Sequence, residues 1–460
     1  MPSVIGGMIG VSALVLFVCS SLRHLLFQST AWDLGIFDQA IYLISQGEKP
    51  ISSFLGFHIL GDHAALIFYP LAVLYKIYPS VYWLFALQAA ALALGALPIY
   101  YLARQAGLKD NLGVAVAAAY LLYPLVFNIN LFDFHPDVLA VPLLLTAVWA
   151  ARGGRIWLFC VSIFLVFVCK EVLSLTVVAL GCLLVFEKRR LYGAIAIFSG
   201  IAWFIIATKG IIPYFGGTGA SVERHISRYS YLGKSFPEIF KNLLFHPDIL
   251  LGKLFSVDNL FYLVLLLVPV IWGFSRQGIT PLLGAIPALA LNLLAEDRLQ
   301  KDLIHQYSLP ILPFLFLVVI QSFAAKLGWL RHKRAIILWC LVTFLALAKF
   351  GYFWSRYLVP IDTLQATRDA IALVQTKGSV LTTAEIAPHL SQRKLINLTN
   401  ANSPPVNYSA FDYILLNVRH PGWSSNQEFA TKAANQLKSQ PEFKLSYQRD
   451  DVYLFMKKND

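Results

Sequence analysis

Two carboxylates stand five residues apart in Trp32-Asp33-Leu34-Gly35-Ile36-Phe37-Asp38-Gln39, directly after the first long apolar run of the chain. An ionised carboxylate is costly in hydrocarbon, so an acid beside a membrane span sits at headgroup level or lines a wet cavity. Three further segments put reactive groups at the end of an apolar stretch: Leu60-Gly61-Asp62-His63, Asp133-Phe134-His135-Pro136-Asp137 and Cys169-Lys170-Glu171. Gathered by a helical bundle, the four segments would form one acidic, histidine-bearing pocket with a lysine in it. A carboxylate in such a pocket can take the proton of a hydroxyl, and a lysine can stabilise an anionic oxygen. The Lys170-Glu171 pair is the most informative, because a tight turn between two spans normally avoids two charges at the hydrocarbon edge. Its plainer account is a mutually neutralised pair snorkelling to the interface. For Asp33 the plainer account is a helix N-cap, for Asp38 a solvated polar face, and for Asp62-His63 a turn ending in a cap.

Two other stretches carry candidate binding groups. The segment 209–256 holds Arg224, His225, Arg228, Tyr229, Tyr231 and Lys234 after Gly216-Gly217-Thr218-Gly219. A basic and aromatic loop suits phosphate or sugar recognition, with Arg224 as its leading cation, and an exposed lipid-facing loop is the bland equivalent. Beyond the cluster Glu296-Asp297-Arg298 and Lys301-Asp302, His305-Gln306-Tyr307 opens an apolar run. His305 and Tyr307 are candidate substrate contacts there, beside what reads as a solvated charge cluster. Oxygen and imidazole ligands for a divalent ion exist in Asp33, Asp62, His63, His135 and Asp137, but each comes from a separate loop and no HExxH-like spacing joins them.

The elements that must position these groups follow from composition. The chain has 460 residues, of which 58% are hydrophobic and 13% charged, against about a quarter charged in soluble domains. This is the balance of a membrane protein. The net charge of +12 sits largely at the ends of apolar spans, where it marks topology and contacts anionic lipid and does not indicate nucleic acid. All five cysteines fall in apolar segments without a CxxC pair, so neither a disulfide framework nor a thiolate metal site is indicated.

Apolar runs near 4–22, 81–103, 112–129, 138–151, 156–170, 172–186, 191–208, 257–275, 279–295, 308–325 and 335–353 give about eleven spans. The N-terminal run lacks a charged n-region and a small-residue cleavage site, so it is kept as a span. From Ile36 to Gln46, Ile36, Phe37, Ala40, Ile41, Leu43 and Ile44 recur at helical spacing, with Asp38, Gln39, Tyr42, Ser45 and Gln46 on the other side and Gly47 as a stop. This predicts an amphipathic juxtamembrane helix; the short apolar segment 64–78 predicts a second. With a cytoplasmic N-terminus, the loops 104–110, 152–155, 187–190, 276–278 and 326–334 are inside and carry the basic clusters, the positive-inside pattern. The candidate site residues then face outside, and so does the tail.

That tail predicts a change of architecture. Strand-like runs at Val380–Thr383, Lys394–Leu398, Phe411–Leu416 and Val452–Phe455 alternate with helical patterns at 362–376 and 426–440. The expected organisation is a transmembrane domain over 1–354 and an extracytoplasmic α/β domain over 355–460. Phe-His-Pro-Asp occurs twice, at 134–137 and 245–248, but the flanks do not match and no repeat is inferred.

The runs Asp33-Leu34-Gly35-Ile36-Phe37-Asp38-Gln39, Leu60-Gly61-Asp62-His63, Phe134-His135-Pro136-Asp137 and Lys170-Glu171, with the quiet span from Gln88 to Pro98, together resemble the bacterial domain-of-unknown-function family 2079 of predicted membrane proteins. Their order is also similar to the GT-C class of membrane glycosyltransferases, in which an acidic motif follows the first span on a juxtamembrane helix and a lysine motif lies near the outer end of a later span. The resemblance implies an all-α polytopic membrane fold with a GT-C-like arrangement and a small C-terminal α/β domain. It implies that Asp33 acts as general base or orients the acceptor, and that Lys170 faces the donor phosphate. Asp62-His63 stands where the class has a Lys-Pro-Pro motif, and the usual second acid after Asp33 is Leu34.

The expected activity is therefore inverting transfer of a sugar from a polyprenyl-phosphate donor to a glycan, lipid or protein acceptor at the outer face of the inner (cytoplasmic) membrane. Substrate contacts are expected from Asp38, Asp62, His63, His135, Asp137, Lys170, Glu171, Arg224, His305 and Tyr307, and membrane lipids are further partners. The residues alone leave three other classes open, a lipid or solute transporter or flippase, a non-catalytic scaffold, and a metal-dependent hydrolase of lipid-linked substrates.

Overall fold

The computed structural model describes residues 3–217, 222–403 and 407–458, and only the backbone of residues 222–225 and 236. The chain divides into two compact units. Residues 1–18, 60–67 and 86–349 make the larger, and residues 19–59, 68–85 and 350–460 the smaller.

Apolar composition makes the larger unit helical, since a helix satisfies its own backbone groups where no water can. Across the described residues four helices are long and apolar enough to cross a membrane, Ser3–Leu25, Tyr82–Gln105, Arg190–Gly216 and Gln306–Ala324, or up to seven if each bent pair counts as one span. Proline accounts for several breaks, because it lacks the N–H that a helix interior uses. The apolar run at 112–129 becomes Asp110–Leu121 and Pro124–Asn130, bent by 41° with Pro124 opening the second piece. The run at 279–295 starts as a 3-10 turn, Thr280–Ala285, before the helix Ile286–Leu294, with a proline near the start of each piece.

Small residues set the tightest packing. Helices Leu173–Phe186 and Arg190–Ile205 approach so closely that a Cβ at Gly181 would lie 2.8 Å from the Gly193 carbonyl oxygen, and one at Gly193 would lie 2.8 Å from that of Gly181. Close backbone approach of this kind holds apolar helices together where the hydrophobic effect is weak. It also anchors the helix that follows the Lys170-Glu171 turn.

The smaller unit is built around a five-stranded sheet of order β2-β1-β3-β5-β4, with β1 Val380–Thr382, β2 Ile396–Leu398, β3 Tyr413–Asn417, β4 Phe443–Arg449 and β5 Val452–Lys457. The first three strands are parallel, and β5 runs antiparallel to both β3 and β4. Side chains alternate between faces along a strand, and here both faces are covered. Val380, Tyr413 and Leu415 point to a core shared with Ala366 and Ala370 of helix Leu364–Ala372; Leu381, Ile414 and Leu416 point to one shared with Ala430, Ala433 and Leu437 of helix Gln427–Ser439. Phe27 and Ala31 enter the first of these cores from the other end of the sequence. The four strands and two helices expected in the tail are present, and β4 is an addition.

The two expected juxtamembrane helices are Ile36–Ser45 and Phe68–Ile77, both in the smaller unit. The polar side of the first is not solvated. Asp38 is 1% exposed, and Gln39 is buried beside it.

Candidate functional site

In the larger unit a cavity of about 270 Å³ is lined by His63, Asp137, Lys170, Glu171, Tyr307 and Arg228, together with apolar side chains. Five sequence-distant segments thus meet. His63 is delivered by the one-turn helix Leu60–His63, which can enter because Gly61 lies against the backbone of Gly216, where a Cβ would collide. Asp137 opens the helix Asp137–Arg152, and Lys170 and Glu171 sit in the turn between Ile156–Phe167 and Leu173–Phe186.

Charges in this cavity are matched. The buried Lys170 Nζ lies 3.5 Å from Asp137 Oδ2, His63 Nδ1 lies 3.2 Å from Glu171 Oε1, and His63 Nε2 lies 3.7 Å from Asp62 Oδ2. Removing one member of a buried pair strands the other, so such pairs hold each other in place. Arg228 adds a second cation, its guanidinium 5.4 Å from the centre of the Tyr307 ring. Among the described residues, three acceptors on the cavity wall are buried with no hydrogen-bond partner: Glu171 Oε2, Gln300 Oε1 and Gln306 Oε1. Buried polar atoms are rarely left so, and acceptors in this state suit a ligand rich in hydroxyl or amine donors.

His135 and His305 stand apart from the cavity lining. The His135 ring stacks on Phe132 at 5.3 Å, Phe132 meets His305 edge-on at 4.3 Å, and His305 Nδ1 is 2.6 Å from Asp302 Oδ2. Gln88 braces the same turn: its Nε2 donates to the Asp133 carbonyl at 2.9 Å, and its Oε1 accepts from the His135 N–H at 3.1 Å. The Arg224 side chain lies outside the described residues.

In the smaller unit Asp33 sits on a π-helical turn, Ala31–Gly35, that runs into helix Ile36–Ser45. Such turns are rare and recur at functional sites. Asp33 is half-buried, with the Thr30 hydroxyl donating to Oδ2 over 3.5 Å. The Ala31 N–H donates to the Ala384 carbonyl at 3.0 Å, tying the turn to the segment after β1. Leu34 is wholly buried, so an acid at that position would be placed in the core. Asp38 is held from three sides: Tyr75 donates to Oδ1 at 2.7 Å, Ser391 to Oδ2 at 2.6 Å and Gln392 to Oδ1 at 3.3 Å. Burial pushes its carboxyl above the ordinary range, and the three donors oppose that. Among the described residues no group of three or more His, Cys, Asp or Glu side chains is arranged to hold a metal ion, and Asp33, Asp62, His63, His135 and Asp137 are assigned no such centre.

Sequence reasoning did not single out Asn292 or Gln300. Asn292 Nδ2 donates to the Tyr262 hydroxyl at 2.8 Å and to the Tyr307 carbonyl at 3.1 Å, which positions Tyr307 on the wall. The signal was available, since a lone amide in the apolar run Ile286–Leu294 demands a partner.

This architecture is similar to that of solved structures of ArnT. The crystal structure of ArnT from Cupriavidus metallidurans bound to undecaprenyl phosphate is 10% identical, with a TM-score of 0.55 over 99% of this chain and 98% of that one. The structure of the same protein in the apo state is 11% identical, with a TM-score of 0.53 over 96% and 97%. The chain itself belongs to the family described as "Predicted membrane protein (DUF2079)", whose model matches residues 23–454. None of the curated proteins matches the sequence.

Proposed function

We propose that this protein is a membrane glycosyltransferase that moves a sugar from a polyprenyl phosphate to an acceptor hydroxyl at the outer face of the cytoplasmic membrane, with inversion at the anomeric carbon. The observation that carries the reading is the Lys170 cavity in a chain whose fold, end to end, resembles that of a transferase solved with undecaprenyl phosphate. In this reading the acceptor oxygen bonds to the anomeric carbon as the bond from that carbon to the phosphate oxygen breaks, and the proton goes to Asp33. Developing charge on the departing phosphate is met by Lys170 and Arg228, with Arg224 as a further cation. Glu171, Gln300 and Gln306 offer the acceptors that the donor sugar's hydroxyls require. Asp137, Asp62 and His63 hold Lys170 and Glu171 in place, and Asp38 fixes the helix that carries Asp33. The Phe132–His135 stack and the His305–Asp302 pair lie in the segments that lead into Asp137 and Tyr307. The basic loops support a cytoplasmic N-terminus, and an odd number of spans would put the C-terminal domain outside.

The test uses purified protein in nanodiscs with a panel of polyprenyl-phosphate sugars and membrane-extract acceptors, and measures released polyprenyl phosphate. Release that Asp33→Asn abolishes in folded protein is the expected result. No release across the panel, from folded protein that still binds the lipid, would move the assignment to a lipid-carrying or scaffolding membrane protein.

A further inference from the structure

A second cavity, of about 400 Å³, belongs wholly to the smaller unit, within the roughly 300–1,000 Å³ of small-molecule sites. Its wall carries two buried polar atoms with no hydrogen-bond partner among the described residues: Thr383 Oγ1, on a residue only 2% exposed, and Glu385 Oε2. A hydroxyl can donate and accept, and a carboxylate oxygen accepts. Leaving either buried and unbonded costs about 1–3 kcal/mol, a cost that a bound molecule would remove. Burial raises the Glu385 carboxyl, opposed by the Trp423 N–H that donates to its Oε1 at 3.2 Å.

Two of the cations around this cavity are already paired. Arg419 is engaged by Asp362 at 2.9 Å and Asp451 at 2.8 Å, and His420 by Asp362 at 2.7 Å. Arg356 is exposed over the Tyr352 ring, and Glu385 adds a carboxylate to the wall. What the wall offers inside is a neutral hydroxyl and a carboxylate, the complement of a molecule bearing several hydroxyls.

Two exposed indoles adjoin the cavity. Trp423 follows Gly422 of the wall and is bonded to Glu385 through its backbone; Trp32 precedes Asp33 on the turn that Ala31 ties to Ala384, between Thr383 and Glu385. The rings meet edge to face at 5.7 Å, with Trp32 42% and Trp423 61% exposed. Flat apolar faces beside unsatisfied hydrogen-bonding groups are what a sugar ring needs, since it presents C–H faces and a hydroxyl rim.

We infer that the Thr383–Glu385 cavity, with the Trp32–Trp423 pair at its margin, is a saccharide site, and that the sugar it holds is the acceptor, next to Asp33. The acceptor role rests on the transferase reading; saccharide binding does not. The experiment titrates full-length protein in nanodiscs, without donor lipid, with cellobiose, maltose and di-N-acetylchitobiose, and with inorganic phosphate as the anion control. Binding is read by saturation-transfer NMR. The expected result is saturable binding of at least one disaccharide, weakened about tenfold or more by Thr383→Val and by Trp423→Ala, with unchanged melting. Both changes avoid large-to-small truncation of the core. Failure of all three disaccharides, or saturation by phosphate alone, overturns the site. Binding that ignores Trp423→Ala overturns the indole platform, as expected if the rings sit among lipid headgroups instead; binding that ignores Thr383→Val overturns the cavity. Asp33-dependent release without disaccharide binding would leave the transferase standing and remove this site, and binding without release would do the reverse.

Discussion

In the larger unit Lys170, Glu171 and His63 each have an opposite or hydrogen-bonding charge within 3.5 Å, and what remains open on their cavity wall is a set of neutral and anionic acceptors. In the smaller unit two aspartates five residues apart are treated differently. Asp38 is buried under three donors, while Asp33 stays half-buried, with the Thr30 hydroxyl 3.5 Å from its Oδ2. The contrast is one of burial: Asp38 is shut into the core of its unit, while Asp33 stays within reach of solvent. A carboxylate whose lone pairs are already taken by fixed donors is a poor base, because binding a proton would break the bonds that hold it.

The largest effect expected is on turnover. Asp33→Asn should lower polyprenyl phosphate release by about a hundredfold or more with no change in melting, and lowered melting with unchanged turnover would invert the comparison. Next comes Lys170→Ala, which strands the buried Asp137 and should cost about 3–5 kcal/mol in denaturant unfolding of the detergent-solubilised protein. Removing Asp137 as well should return part of that loss; if it does not, the pair is not what Lys170 supports. Asp38→Ala leaves the Tyr75, Ser391 and Gln392 donors unsatisfied, at about 1–3 kcal/mol, and should leave donor-lipid affinity unchanged.

The smallest effect is on pH dependence. Burial pushes His389 down to about 3, against about 6.5 in an unfolded chain. The folded protein therefore refuses a proton that the unfolded chain accepts as pH falls below about 6.5. Stability should be independent of this group above that pH and decline toward pH 3, by at most about 1.4 kcal/mol per pH unit. His389→Phe should flatten that part of the melting profile, and an unflattened profile would show that His389 titrates normally.

Much of this was legible in the order of the segments. Reactive residues at the ends of apolar runs had few places to go, and His63, Asp137, Lys170 and Glu171 line one cavity. The tail's strands were readable from β-branched and aromatic runs. β4, Phe-Lys-Leu-Ser-Tyr-Gln-Arg, alternates apolar with polar residues but has no β-branched residue, and its pairing shifts register between Leu445 and Tyr447. The burial of Asp38 was not legible, because Ser391 and Gln392 lie more than 350 positions away and an acid on the polar side of an amphipathic helix reads as solvated. The π-helical turn under Asp33 has no sequence signature of its own, and neither do the unsatisfied Thr383 and Glu385.

The distance along the chain between the Asp33 turn and its support also sets a clock. Ala31 is bonded to Ala384, and Asp38 to Ser391, across a separation of 353 residues in the latter case. At about 5–20 residues per second of synthesis, the supporting segment emerges on the order of 20–70 s after the turn itself. A nascent chain therefore carries its candidate base for most of a minute before the Ala384 and Ser391 contacts can form, and a ribosome that stops early leaves behind a membrane-inserted but unassembled product.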